Sequence, residues 1–216
     1  MVRAVVFDVG ETLVDETRIW TRWADRLGVT RLTMLGLIGA CAALDRPVTD
    51  AFAMVRPGLN LETEEAAWAV DDPDGLRSGF DADDLYPDVI PALTALRAAG
   101  LRLVVAGNQP PRALAALRAM DLPVDEIRNS AELGVEKPAP AFFAAAADLA
   151  GAPVREIAYV GDRTDNDVLP AADAGMLAVL VRRGPWGYLH ATRPEAARAH
   201  VVDSLLELPG LLTAGS

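Results

Sequence analysis

Three groups of residues in this 216-residue chain could do chemistry together although they lie far apart: Asp8, Lys137, and the aspartates of Asp162-Arg163-Thr164-Asp165-Asn166-Asp167. A carboxylate can act as a nucleophile, but beside further carboxylates it tends to bind a proton. A cation placed among them keeps it ionised and neutralises an anionic substrate. Several aspartates around a phosphate also suit Mg²⁺, a hard cation that takes oxygen ligands and bridges carboxylates to phosphate oxygens. Each group has a plainer reading alone: Asp8 as the start of a turn, the acidic run as a solvated loop, Lys137 as one basic residue among 20. The basic residues themselves argue against the last, because the other 19 are arginine and Lys137 is the single lysine. A position that keeps lysine in such a background points to a need for a compact point charge rather than a planar fork.

The elements that must position these groups follow from the apolar pattern. Ala4 to Phe7 is a short β-branched run bounded by Gly10, the mark of a strand buried on both faces, and it delivers Asp8 to its carboxyl end. Gly10 to Asp15 reads as a tight excursion, with Gly10 supplying the conformational freedom. From about Thr17 to Asp84 the pattern turns helical: Ile19, Trp20, Trp23, Ala24 and Leu27 form a stripe closed by Gly28, and Leu32, Leu35, Ile38, Ala42 and Leu44 form a second, buried one. Pro47, Pro57-Gly58 and Pro73-Asp74-Gly75 punctuate further short helices, and Trp20, Trp23 and Trp68 are expected in the core of this block. The chain thus divides into residues 1–15 with 85–216, an α/β domain, and residues 16–84, a helical insertion. In the α/β part, strands are expected at Leu101–Ala106, Val124–Ile127, Ile157–Val160 and Leu177–Val181, the last completing the sheet. Helices are expected at 87–99, Pro111–Met120, Pro140–Ala150 and Val168–Ala174, with a last one near Ser204–Leu208. In a parallel sheet the carboxyl ends lie along one edge, so Asp8, Lys137 and the acidic run converge on one crevice.

Composition excludes several partners. A formal charge of -11 disfavours nucleic acid and anionic membranes, which do not attract a polyanion. No apolar run is long enough to span a bilayer, and Asp8 and Glu11 interrupt the N-terminal apolar stretch that a signal peptide requires, so a cytoplasmic protein acting on a small molecule is expected. The lone Cys41, in an apolar setting, reads as a buried structural thiol.

The residues FDVGETLVD, VVAGNQ, Lys137 within GVEKPAPAFF, and YVGDRTDNDVLPAADAGM resemble, in order and spacing, the four motifs of the haloacid dehalogenase superfamily. The resemblance covers essentially the whole chain and implies a Rossmann-like, doubly wound parallel sheet with an inserted α-helical cap. It implies Asp8 as the nucleophile that forms an aspartyl-phosphate and Lys137 as the residue holding nucleophile and phosphate. It further implies phosphate contacts at Gly107, and a Mg²⁺ site from Asp8, Asp162, Asp167 and the carbonyl of Gly10.

Two departures qualify the implied activity. Family phosphatases carry a second aspartate two residues after the nucleophile, as general acid and then base; here that residue is Gly10. General acid–base help is worth about 10²–10⁴ in rate, so a slow phosphatase, or one limited to good leaving groups, is expected. Glu11 is adjacent, but on an extended chain it faces the other way. In the second motif the phosphate-binding Ser or Thr is Gly107, leaving a backbone N–H without a hydroxyl, with Asn108 as a partial substitute. Three activities fit this set: a Mg²⁺-dependent phosphatase of a small phosphorylated metabolite, a 2-haloacid dehalogenase-type hydrolase whose halide needs no proton to leave, and a catalytically weak metal- or phosphate-binding protein.

Overall fold

The structure, a computed structural model, describes residues 1–72 and 80–213. Six strands form one sheet: β1 (Ala4–Phe7), β2 (Arg102–Gly107), β3 (Glu126–Asn129), β4 (Ile157–Gly161), β5 (Leu177–Val181) and β6 (His200–Val202). Their order is β3-β2-β1-β4-β5-β6 and every neighbouring pair is parallel. The expected α/β, doubly wound sheet is therefore present. β1 is central, between β2 and β4, with Phe7 level with Val105 on one side and Val160 on the other. The chain reverses direction of growth between these neighbours, which opens a crevice beyond their carboxyl ends.

Alternate residues of the strands build the core on one face. Ala4 and Val6, Val104 and Ala106, Ile157 and Tyr159, and Ala178 and Leu180 pack with Phe142 and Phe143 of the helix Pro140–Ala150. Burying one such side chain contributes roughly 1.5–3 kcal/mol, so this face holds the four strand ends in fixed register.

β3 and the tail helix shift from their expected bounds, and β6 and the helix Gly184–His190 are among the elements not foreseen. β3 begins two residues later than Val124: Asp125 bonds Leu103 of β2 through both its N–H, donating to Leu103 O, and its side chain, accepting from the Leu103 N–H, each at 2.8 Å, and regular pairing starts at Glu126. Leu177–Val181 does not complete the sheet: β6 adds a sixth strand of three residues, two of them exposed, too short to show a period. The helix Gly184–His190 also escaped the pattern, since Gly184, Pro185 and Gly187 lower helical propensity and only the burial of Trp186, Gly187 and His190 decides it. The tail holds a short turn, Leu205–Glu207, closed by a Ser204–Glu207 capping box, and then the helix Leu208–Thr213.

The chain forms two compact units, residues 1–15 with 85–216 and residues 16–84. Within the second, helices run over Thr17–Leu27, Arg31–Ala43, Thr49–Val55 and Leu61–Asp71. Gly28 closes the first with φ 71°, and Thr30 and Asn60 cap the second and fourth by accepting from the backbone N–H three residues on. Trp23 stands edge-on to both Phe52 and Trp68, with ring centroids 4.9 Å apart in each pair, and is buried with them; Trp20 is half-buried. Cys41 is fully buried among these helices. The Pro73-Asp74-Gly75 break lies outside the described residues. Among those described, no single helix is long and apolar enough to cross a membrane.

Candidate active site

Asp8 follows directly on β1, and its N–H donates to the Val160 carbonyl at 2.9 Å, so the backbone that carries the carboxylate is an extension of the sheet. The chain then folds on itself within six residues: the N–H groups of Thr12, Leu13 and Val14 all donate to Val9 O, and Glu11 N–H to Val14 O. The expected tight excursion is present, but its left-handed residue is Glu11, with φ 51°, rather than Gly10, so the chain is not extended at Glu11. Glu11 turns its buried carboxylate toward Tyr86, whose hydroxyl donates to Oε2 at 2.5 Å. Gly10 lies at the start of the turn, bridged to Val14.

Lys137 reaches the same crevice from the loop after the short helix Ser130–Leu133. Its Nζ lies 2.7 Å from Asp8 Oδ1 and donates to Asp167 Oδ1 at 2.6 Å, and the side chain is almost completely buried. Asp162 follows β4, and the residues after it make a wide π-turn over Thr164–Val168 in which the N–H groups of Asp167 and Val168 both donate to Arg163 O. That turn folds Asp167 back over Gly161, where an added Cβ would meet the Asp167 Cγ at 2.3 Å. A glycine at the end of β4 is therefore required for Asp167 to reach Lys137. Asp165, grouped with the other aspartates by sequence, instead pairs with Arg163 and is exposed.

Oxygen atoms of Asp8, Asp162 and Asp167 come within 4.8 Å of one another, and all three side chains are buried. Burial pushes the Asp162 carboxyl well above the usual range, and the charges of Asp167, Asp8 and Glu11 push it the same way against the opposing pull of Lys137. Asp167 is raised to about 6, by burial first and by Asp8, with Lys137 opposing. For Lys137 burial opposes the charge, yet Asp167 and Asp8 outweigh it and hold the ammonium well above its ordinary value. One ammonium thus faces three buried carboxylates, an arrangement short of positive charge and made wholly of hard oxygen donors. That donor set fits Mg²⁺.

The remaining residues brought together here include two the sequence did not single out. Tyr159 lies under Lys137, its ring centroid 5.7 Å from Nζ, and its hydroxyl donates to Ala106 O. Its only signal in sequence is a polar aromatic within an otherwise aliphatic strand. Arg183 caps the Tyr86 ring at 4.2 Å, donates to Thr12 O at 2.7 Å and pairs with Asp88, tying the turn after Asp8 to the C-terminal part of the chain. Nothing local announces it among 19 arginines. Gly107, at the end of β2, backs directly onto the Asp8 carboxylate, and Asn108 directs its side-chain amide to the Lys137 backbone.

Residues 2–175 match the family model described as haloacid dehalogenase-like hydrolase. Among curated proteins, the chain is 40% identical over 104 residues to glyceraldehyde 3-phosphate phosphatase of Methanopyrus kandleri, a match covering 47% of this chain and 45% of that protein. The chain therefore spans about half the length of the archaeal relatives it matches. It is 27% identical to phosphoglycolate phosphatase 1 of Pseudomonas aeruginosa across 95% of this chain and 78% of that one. Among solved structures, a dehalogenase crystallised as an intermediate complex is 25% identical with a TM-score of 0.68, covering 99% and 98% of the two chains. A HAD phosphatase from Thermococcus onnurineus, 21% identical with a TM-score of 0.62 over 98% of each chain, shares the fold.

Proposed function

Because this chain belongs to the haloacid dehalogenase-like hydrolases, we propose that it is a phosphatase of a small phosphorylated metabolite, with Asp8 as its nucleophile. The observation that carries this reading is Lys137, whose ammonium touches the Asp8 and Asp167 carboxylates at once. It presents positive charge beside the attacking oxygen, where an incoming phosphate must sit. In the reaction, an oxygen of Asp8 attacks phosphorus, the bond from phosphorus to the substrate oxygen breaks, and that oxygen leaves with its electron pair. Water then attacks the aspartyl-phosphate, releases inorganic phosphate and restores the carboxylate. Asp8, Asp162 and Asp167, with the Gly10 carbonyl, are the groups that would hold Mg²⁺, which when bound neutralises phosphate charge.

Gly10 leaves the departing oxygen without an adjacent acid, so the enzyme favours esters whose leaving group departs as an anion. The matched phosphatases are named for glyceraldehyde 3-phosphate and phosphoglycolate, small alkyl esters that this chain, with Gly10 in place of the acid, should hydrolyse more slowly than aryl or acyl phosphates.

Gly10 also favours a second reading, a 2-haloacid dehalogenase, because halide leaves unprotonated; the 25% identical dehalogenase adds to it. The buried acidic triad weighs the other way, since displacement of halide from carbon needs no cation at a phosphate. A panel of short phosphorylated metabolites and 2-haloacids, assayed with and without Mg²⁺, tests both. Phosphate release that requires Mg²⁺ is the expected result; halide release independent of Mg²⁺ would replace phosphatase by dehalogenase, and neither would leave a binding protein.

A further inference from the structure

Gly107 and Asn108 stand where the family resemblance places phosphate contacts, yet their geometry gives them another task. The Asn108 side chain makes a reciprocal pair with one backbone residue: Lys137 N–H donates to Oδ1 at 2.8 Å, and Nδ2 donates to Lys137 O at 2.9 Å. The amide can take only one orientation here, because the Lys137 N–H requires an acceptor and its carbonyl a donor. Both ends of the Asn108 amide are thus engaged on the residue whose ammonium holds Asp8. Gly107, one residue earlier, acts on the other partner. A Cβ built on it would lie 2.4 Å from Asp8 Oδ1, the same oxygen that is 2.7 Å from Lys137 Nζ. The space for a side chain at residue 107 is therefore filled by the Asp8 carboxylate in its lysine-bound position.

We propose that Gly107 and Asn108 are positioning residues that set the Asp8–Lys137 pair, Gly107 by leaving room for the carboxylate and Asn108 by clamping the lysine backbone, and that neither contacts phosphate through a side chain. The consequence runs against the motif. Restoring the missing hydroxyl by Gly107→Ser displaces Asp8 from Lys137 and lowers the rate instead of raising it. The rate consequences rest on Asp8 being the nucleophile; the geometric claim does not.

The single lysine makes a direct test available. The full chain, labelled with [13Cε]-lysine and kept metal-free, gives one Cε signal, and its two Hε protons resonate apart while the side chain is held. Asn108→Ala should merge or shift them, and Gly107→Ser should shift the Cε line as Asp8 is pushed away, with the melting temperature recorded for each variant. Where Asn108→Ala does not fold, Asn108→Asp, which keeps the acceptor and loses the donor, is read in the same way, and Gly107→Ala replaces Gly107→Ser. With an aryl phosphate and Mg²⁺, Asn108→Ala should lose about 10²-fold in kcat, the scale of a reacting group misplaced by about 1 Å. KM should then change less than about threefold, because no substrate contact is removed. An unchanged lysine signal in folded Asn108→Ala and Gly107→Ser overturns the proposal. A raised KM with kcat intact in Asn108→Ala, or a gain in kcat/KM in Gly107→Ser, overturns it too. If the wild type hydrolyses nothing, the phosphatase reading fails while the lysine signal still decides the positioning roles.

Discussion

Asp8 and Asp167 share one cation: Lys137 Nζ lies 2.7 Å from Oδ1 of the first and 2.6 Å from Oδ1 of the second, with all three side chains buried. The shared ammonium joins the nucleophile and the acidic loop into one electrostatic unit.

The first expected outcome concerns Asp8. Asp8→Asn retains the shape of the side chain but cannot attack phosphorus, so hydrolysis should fall below detection while circular dichroism and the melting transition remain. Hydrolysis at the wild-type rate would remove Asp8 from the mechanism.

Lys137→Met should abolish turnover and also destabilise the metal-free protein by about 3–5 kcal/mol, the usual cost of leaving a buried ion pair without one partner. Lys137→Arg should restore neither, since a planar fork does not fit a site shaped around an ammonium. Urea unfolding at neutral pH checks the first statement and turnover the second. An active Lys137→Arg enzyme would make the choice of lysine incidental.

Stability should depend on pH through the carboxylates. Asp167, at about 6, and Asp162, pushed well above the usual carboxylate range by burial, both lie above their unfolded values, so each favours the protonated form in the fold. Their contribution is largest below the unfolded carboxylate range and is lost as pH rises through the folded values. The metal-free protein should therefore melt higher at pH 5.5 than at pH 7.5, on the order of a few degrees. Mg²⁺ should remove most of that difference by stabilising the ionised triad at pH 7.5. A melting temperature that ignores both pH and Mg²⁺ would count against a cation site here; Asp162→Asn should flatten the dependence.

Leaving-group dependence tests Gly10. Aryl and acyl phosphates should react far faster than alkyl phosphates, and Gly10→Asp should raise alkyl-phosphate turnover by up to about 10². Glu11→Gln is the companion variant, because Glu11 is the nearest carboxylate in sequence and is held by Tyr86. If Glu11→Gln selectively lowers alkyl-phosphate turnover, Glu11 is the acid and Gly10→Asp should add little. Equal rates on both ester classes in the wild type would refute the missing-acid account altogether.

Much of this molecule was legible before any coordinates. β1, the first helical stripe of residues 16–84 and the strands ending at Gly161 and Val181 are long or apolar enough that burial dictates their form, and alternation of strand with helix dictates a parallel sheet. Of the second expected stripe, Leu32 and Leu44 are exposed, and the helix buries Met34, Ile38, Cys41 and Ala42. Once the sheet is parallel, Asp8 and Asp162 must emerge on one edge, which is why a single lysine and scattered aspartates could be read as one site. What the sequence could not carry is direction at short range. Glu11 turns out of the extended chain at φ 51°, Asp165 turns to Arg163 while Asp167 turns to Lys137, and Asn108 reaches the lysine backbone rather than the open crevice. β6 and the helix Gly184–His190 likewise exist through contacts made elsewhere in the chain, not through their own pattern. The physical reason is common to all of these: periodicity reports which face of an element is buried. The aim of one polar side chain is settled by which donor, acceptor or missing Cβ, such as those of Gly107 and Gly161, the assembled fold places beside it.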